Sequence, residues 1–303
     1  MPRELAERGW MALVDELENF QDIAKFLKPA PGSVPALDGV DIHGESMPLN
    51  GIVGGDHILY IDYRTRYDLD ARIAQAQAAG HAKIVEQLRL NKQRAGILVA
   101  DVAGHRITDA LLVAMLHQAF LLGSYYELDR YGTITPRILE NINARFHEST
   151  TVRKYLTAMY GEISVEGKFR FISAGHPAPV VFSREFGRIM RISDDRTISY
   201  PPIGVLRSGD DVDARLTGDL FRYKKRYTVN EINLLGDGDI LILLTDGLTE
   251  HARGQYFPAG LERCLSEARD LPSWGIAERI RDSLLAFAPP EDDISFVVIK
   301  KKV

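Results

Sequence analysis

Residues 96 to 101 read GILVAD, a short run apolar at successive positions that ends on a carboxylate. Side chains in a strand alternate between two faces, so a run apolar throughout needs cover on both. Asp101 then stands where that cover ends. The same texture returns in LLGDGDILILLTDG, residues 234 to 247, where turn residues flank a second buried strand that stops at Asp246. Asp246-Gly247 is by itself the strongest short hairpin signal, so alone it reads as the corner of a tight turn. GDGD at 236 to 239 is assigned to a turn, because its acids alternate with glycines before a strand begins.

Around these runs the chain alternates helical and extended patterns. Trp10, Leu13, Leu17, Phe20, Ala24 and Leu27 recur every three or four residues and predict a helix from about Arg3 to Leu27. The same stripe suits docking onto the parent domain, a dimer seam or a partner surface, and Pro29, Pro31 and Gly32 end it. VDIHGESMP and HILYIDY read as strands; Leu69, Ile73, Ala76, Ile84 and Leu88 mark an amphipathic helical segment bent near Gly80. A buried helix is expected over 110 to 123. Another should be capped by Thr135, start at Pro136 and bury Ile138, Leu139, Ile142 and Phe146. TAMYGEISV and KFRFISAGH flank Glu166-Gly167 as a hairpin, and a helix over 272 to 288 precedes the strand ISFVVIK.

Composition excludes several functions. Lys and Arg number 37 against 42 Asp and Glu, a formal charge of −5, and apart from Lys224-Lys225-Arg226 and Lys300-Lys301-Lys302 the cations are scattered. Neither a nucleic-acid surface nor an anionic membrane surface fits that balance. Cys264 is the single cysteine, which rules out an intrachain disulfide and a cysteine-rich zinc site and predicts a cytoplasmic protein. MPRELAERGW lacks the apolar stretch of a secretory signal, and ALLVAMLHQAFLLG is too short to span a bilayer.

Four places set an acid beside an apolar strand: VGGD at Asp56, ILVAD at Asp101, LILLTD at Asp246, and PEDD at Asp292 and Asp293. Glycines 54, 55, 104 and 247 adjoin three of them and allow close approach of a ligand to the main chain. Two carboxylates about 4 Å apart repel by roughly 4 kcal/mol at an effective dielectric of about 20, so converging acids need protons or cations. Oxygen donors without cysteine favour Mg²⁺ or Mn²⁺ over zinc.

VGGD (53–56), ADVAGH (100–105), SAGHPAP (173–179), PPIGV (201–205), LLTDGLTE (243–250) and DDIS (292–295) occur in the order and character of the bacterial PPM-type serine phosphatases. The chain most resembles their sporulation stage II E and sigma-factor regulator branch, relatives of eukaryotic protein phosphatase 2C, over about residues 20 to 303. The resemblance implies an α+β fold, a four-layer αββα sandwich of two antiparallel sheets flanked by helices. It implies two Mn²⁺ or Mg²⁺ ions held by Asp56, Asp101, the carbonyl of Val102, Asp246 and Asp292, with Asp293 second choice for the last ligand. His105 is the candidate general acid or a loop-orienting residue, and His176 in SAGHPAP a loop-shaping one. The implied reaction is attack of an activated water on phosphoserine or phosphothreonine of a signalling protein, an anti-anti-sigma domain in this branch. A PPM-fold signalling module without turnover and a metal phosphodiesterase are the alternatives, the latter disfavoured by the acidic balance.

This chain departs from the family's pattern in three ways. HILYID replaces the usual aromatic-acid continuation after VGGD and leaves His57 without a role, while Arg106 stands where glycine is usual. Asp56 and Asp101 are 45 positions apart, which implies a helical insertion at about 64–95 inside a phosphatase domain of 31–303 that follows a helix and linker at 1–30. The insertion and the N-terminal helix are expected to form a homodimer or partner surface.

Overall fold

The computed structural model describes residues 2–29, 33–104, 109–149, 154–192, 197–209, 224–234 and 236–302. Helix α1 (Pro2–Ala24) continues into a 3-10 turn, Lys25–Leu27. Strands β1 (Val40–Met47) and β2 (Asp56–Asp62) lead to three short helices, α2 (Tyr63–Arg66), α3 (Leu69–Ala78) and α4 (Ala82–Leu90). Strand β3 (Arg94–Val102), helices α5 (Asp109–Tyr131) and α6 (Arg137–Ser149), and strands β4 (Leu156–Ser164) and β5 (Lys168–Ala174) follow. Next come β6 (Val180–Ser183), β7 (Arg188–Met190), β8 (Ser199–Tyr200), β9 (Asn230–Asn233) and β10 (Ile240–Leu244). The single turn α7 (Asp246–Thr249), helices α8 (Ala259–Ala268) and α9 (Ser273–Phe287), and strand β11 (Ile294–Lys301) complete the order.

The strands form two sheets, β1-β11-β10-β6-β7 and β2-β3-β4-β5-β8, with β9 also paired to β5. Every pairing is antiparallel except the two-residue contact of β5 with β8. Three apolar layers separate four structural ones. Ile58, Ile97, Val99, Met159 and Phe171 meet Val40, Ile42, Leu241, Leu243, Val297 and Ile299 between the sheets. Leu59, Ile61, Leu98 and Ala100 point the other way, onto Leu116 and Phe120 of α5 and Leu139 and Ile142 of α6. Ile242, Leu244, Phe296 and Val298 cover the far side against Leu261, Leu265, Ile276 and Ile280 of α8 and α9. The fold is thus the four-layer αββα sandwich, and GILVAD is apolar throughout because its neighbours alternate between two cores.

Local chemistry explains most elements. Thr135 caps α6 by accepting from the Arg137 amide at 3.3 Å, and Ile138, Leu139, Ile142 and Phe146 are buried as their spacing requires. Helices α3 and α4 turn at Gly80, whose φ is +72°. They bury Leu69, Ile73, Ala76, Val85 and Leu88 in the outer core rather than standing away from the domain. Arg72 fastens them, its guanidinium 5.4 Å from the Tyr67 ring and 4.9 Å from the Tyr125 ring of α5.

Helix α5 differs from its expectation. It runs through Gly123 to Tyr131, and Leu111, Met115, Leu122, Tyr125 and Tyr126 along it are exposed. Gly123 does not end the helix but lets it approach α6, since a Cβ there would sit 2.9 Å from Ile138 Cγ1. The α1 stripe divides: Ala24 and Leu27 are buried on the outer core, whereas Trp10, Leu13 and Leu17 are exposed. Among the described residues no helix is long and apolar enough to cross a membrane.

Candidate metal centre

The inter-sheet core stops being apolar at one end, and strand register says where. Asp56 pairs with Asp101, and Asp101 with Thr157, two positions beyond the pairs Ile58–Val99 and Val99–Met159 that face the other sheet. With a side-chain period of two, Asp56, Asp101 and Thr157 form one row on that same inner face. On the opposite sheet Ser46 pairs with Ser295, and the Thr245 amide bonds the Ser295 carbonyl at 2.9 Å, two positions beyond Leu243 and Val297. Two polar rows therefore face each other across the end of the sandwich. They are joined where Thr245 Oγ1 donates to Asp56 Oδ2 at 2.8 Å.

Just past these rows lie the remaining acids. β10 does not turn back at Asp246-Gly247: Thr245 begins the turn α7, and the Leu248 amide donates to the Thr245 carbonyl at 3.2 Å. Gly247 is required by packing, since a Cβ there would lie 2.0 Å from the Asp293 carbonyl oxygen. Asp246 is thereby held beside the segment that carries Asp292. Burial first, then repulsion from Asp292 and Glu250, raises the Asp246 carboxyl above the ordinary range. Burial and then Asp101 hold Asp56 well above it, although Thr245 pulls it down. Asp101 is pushed up to about 7 by burial, then by Asp246, Asp292 and Asp293. Each acid thus registers its neighbours, and the structure gathers Asp56, Asp101, Asp246 and Asp292 at one end of the sandwich.

The backbone adds oxygen donors. Gly55 lets these oxygens approach closely, since a Cβ there would sit 2.6 Å from the Gly104 carbonyl oxygen, 2.9 Å from that of Val102 and 3.7 Å from Asp101 Oδ1. Gly104 shapes this loop with φ at +124°, in the region that disfavours L side chains.

The family described as stage II sporulation protein E (SpoIIE) matches residues 91–302. The chain belongs to that family. Among curated proteins, the phosphoserine phosphatase RsbP of Bacillus subtilis is 25% identical over 197 residues, 65% of this chain. Those residues are 42% of RsbP, so the chain spans less than half the length of that relative. The SiaA-PP2C domain of Pseudomonas aeruginosa superposes with a TM-score of 0.63 at 16% identity, over 96% of this chain and 98% of that one. The RsbU and RsbW domains of a Mycobacterium tuberculosis protein give 0.62 at 19% identity, over 89% and 63% of the two chains. The fold is PP2C-like.

In this SpoIIE-family chain the donor set fits a hard divalent cation by its chemistry. Carboxylates that raise one another's pKa and main-chain carbonyls beside them are oxygen ligands in need of positive charge. The fit is one of donor type and not of a closed cage: no three His, Cys, Asp or Glu side chains among the described residues already stand in a metal-holding arrangement. Asp293 also organises the loop beside these acids. It is buried and accepts from the Leu49 amide at 2.6 Å and the Gly55 amide at 2.7 Å, which ties the VGGD loop to the start of β11. His105 and Arg106 lie outside the described residues.

His57 gains a place that sequence reasoning missed. One residue after Asp56, it points to the opposite face of the sheet, where its Nε2 meets His117 Nδ1 of α5 at 3.0 Å. Burial first, then His117, lowers its pKa to about 3. The edge of Phe26 packs on His117 with ring centres 5.7 Å apart, so the end of the N-terminal helix touches the pair. Strict alternation along HILYID was the available signal for the direction of His57, but its partner lies 60 residues away.

Gly55→Ala is expected to weaken Mn²⁺ binding about tenfold, because the added methyl would lie under 3 Å from the Gly104 and Val102 carbonyl oxygens and must push these donors aside; this loss has the size typical of disturbed outer contacts. Calorimetric titration beside a melting curve checks it, and unchanged affinity would place the ion elsewhere.

Proposed function

We propose that this chain is a Mn²⁺- or Mg²⁺-dependent protein phosphatase that hydrolyses phosphoserine or phosphothreonine on a signalling protein. Its carrying observation is the inner-face row that sets Asp56 beside Asp101 at the sandwich end, with Asp101 also raised by Asp246, Asp292 and Asp293. Membership of the SpoIIE family and the phosphoserine phosphatase RsbP as a relative support the same reading.

Asp101, Asp56, Asp246, Asp292 and the Val102 carbonyl would hold two ions. Bound there, the ions would supply Lewis-acid neutralisation of phosphoryl oxygens and acidify water for in-line attack. The protein's own residues do the rest. Thr245 fixes one oxygen of Asp56, and Asp293 fixes the loop that carries Gly55. His105 is proposed to protonate the departing serine oxygen. An anti-anti-sigma domain is the proposed partner, in keeping with the chain's branch of the family, and the single buried Cys264 suits a cytoplasmic setting.

Residues 1–30 are proposed as a helical lead-in to a domain of 31–303. The exposed Trp10, Leu13 and Leu17 support a homodimer through α1, which a monomeric mass in solution would set aside. The function is tested by hydrolysis of a phosphoserine peptide with Mn²⁺ and with chelator. Metal-dependent phosphate release is expected. Its absence in folded protein would leave a binding module, and faster turnover of a phosphodiester would point to a nuclease.

A further inference from the structure

Alternation along β4 continues past the acids and brings one more side chain to their face. Val99 pairs with Met159 and Asp101 with Thr157, and in the same register the Ala103 amide donates to the Tyr155 carbonyl at 3.1 Å. Tyr155 is therefore the next inner-face position beyond Thr157, one step outward from the row of acids. Its two neighbours agree with that direction. Lys154 forms an ion pair with Asp109 of α5, and Leu156 lies in the outer core with Ile203. Both turn towards the helices, so Tyr155 between them turns towards the acids.

What stands beside the ring is small. Ala103 is its partner on the β3 side. On the other side Leu156 and Ile203 form an antiparallel bridge and exchange both main-chain hydrogen bonds, at 3.3 and 2.8 Å, so the chain beyond Ile203 runs alongside Tyr155. There it is Gly204, with φ at +89°. Its amide donates to Asn143 Oδ1 of α6 at 3.0 Å, while Asn143 Nδ2 donates to the Leu206 carbonyl at 2.8 Å. A fully buried asparagine thus fixes PPIGV in place. Tyr155, between an alanine and a glycine, stays 46% exposed. The apolar inter-sheet core closes the inner side of the row, so a phosphoryl group reaches the acids from the end at which Tyr155 stands. Two residues of strand span about 7 Å, and a chain that delivers a phosphorylated side chain to the row lies against this ring.

We propose that Tyr155 is a specificity-determining residue of the phosphatase: its ring packs on the residues next to the phosphorylated serine or threonine and so favours a phosphorylated segment over an isolated phosphomonoester. This rests on the reading of the acids as the centre that hydrolyses phosphoserine. A tyrosine offers a large contact area with few torsions to fix, which suits brief capture of an extended segment. The contact is made before and during the reaction alike, so it acts on KM and not on kcat. PPIGV acquires a part as well, since Gly204 keeps the space beside the ring open.

The test compares, in Mn²⁺ and with the full chain, an extended phosphoserine peptide with single phosphoserine capped as its N-acetyl methylamide. Tyr155→Ala is expected to raise KM for the peptide about tenfold, the size of a truncated aromatic anchor, and to leave kcat, kcat/KM for the capped residue and calorimetric Mn²⁺ affinity within about twofold of wild type. Tyr155→Phe keeps the ring and should show the wild-type KM. The side chain is nearly half exposed, so the Ala variant should melt as wild type does, and Tyr155→Gln serves if it does not. An unchanged peptide KM, an equal loss on the capped residue, weakened Mn²⁺ binding, or a loss in Tyr155→Phe as large as in Tyr155→Ala overturns the proposal while leaving the hydrolytic centre intact. Wild-type protein that hydrolyses neither compound overturns the centre itself.

Discussion

Asp101→Asn is expected to lower phosphatase turnover on the order of 10³-fold and, in the absence of metal, to raise the melting temperature. Both effects come from one charge. Asp101 stands in the row between Asp56 and Thr157, beside the Val102 carbonyl, and its carboxyl feels four other acids. A unit charge about 4 Å from an ion is worth roughly 4 kcal/mol at an effective dielectric of about 20, which corresponds to about 10³ in a rate or a binding constant. Asparagine keeps the shape and removes that charge. In metal-free protein the same removal relieves repulsion, so the variant should melt several degrees higher at pH 7.5, about 1 kcal/mol shifting the midpoint by about 2–4 °C in a chain of this class. The pairing of lost activity with gained stability separates a ligand from a structural carboxylate, whose loss would lower both. Peptide hydrolysis and a melt in chelator suffice to check it. A variant that turns over at the wild-type rate would dismiss the proposed chemistry.

Legibility in the sequence followed the range of the interactions concerned. The row of Asp56 and Asp101 could be anticipated because one opens an apolar run and the other closes one, and the period of two carries the side chain at 99 and the one at 101 to the same face. Asp246 could not be settled locally. Asp-Gly suits a hairpin as well as it suits a turn into α7, and what decides is a clash between a Cβ at 247 and the Asp293 carbonyl, a contact from the next strand of the sheet. Asp293 was similarly ambiguous beside Asp292. Its two amide donors, from Leu49 and Gly55, lie more than 230 residues away in sequence and assign it to loop fixing. Helix α5 extends beyond the expected 110–123, through Gly123 to Tyr131, and the missing side chain at Gly123 allows contact with Ile138. The α1 stripe gave the helix correctly but not which residues of it would be covered: Ala24 and Leu27 are buried in the outer core and Phe20 packs against it, while Trp10, Leu13 and Leu17 are exposed.

Stability of the metal-free protein should fall as pH rises from about 6.5 toward 8, and Mn²⁺ should abolish the fall. Two sets of groups oppose each other. Asp56, Asp101 and Asp246 have raised folded pKa values, Asp101 to about 7, so above about pH 4 the folded state retains protons that the unfolded chain has released. Their contribution declines with rising pH through that window. His57 and His176 are lowered to about 3, and His117 is lowered too, so below about pH 6.5 the unfolded chain takes up protons that the folded state refuses. Their contribution declines as pH falls, with the opposite sign. Below about pH 6.5 the two sets act with opposite signs. Above about 6.5 the histidines are neutral in both states and only the carboxylates remain, at up to about 1.4 kcal/mol per pH unit for each group still titrating. A cation that accepts these oxygens as carboxylates removes their reason to hold protons, so the stabilisation by Mn²⁺ should grow from pH 5 to pH 8. Melting curves at pH 5, 6.5 and 8, with chelator and with Mn²⁺, read this directly. A chelated protein whose melting temperature holds steady from pH 6.5 to 8 would mean that the acids at the sandwich end carry no mutual strain, and that the end of the sandwich has no electrostatic need for an ion.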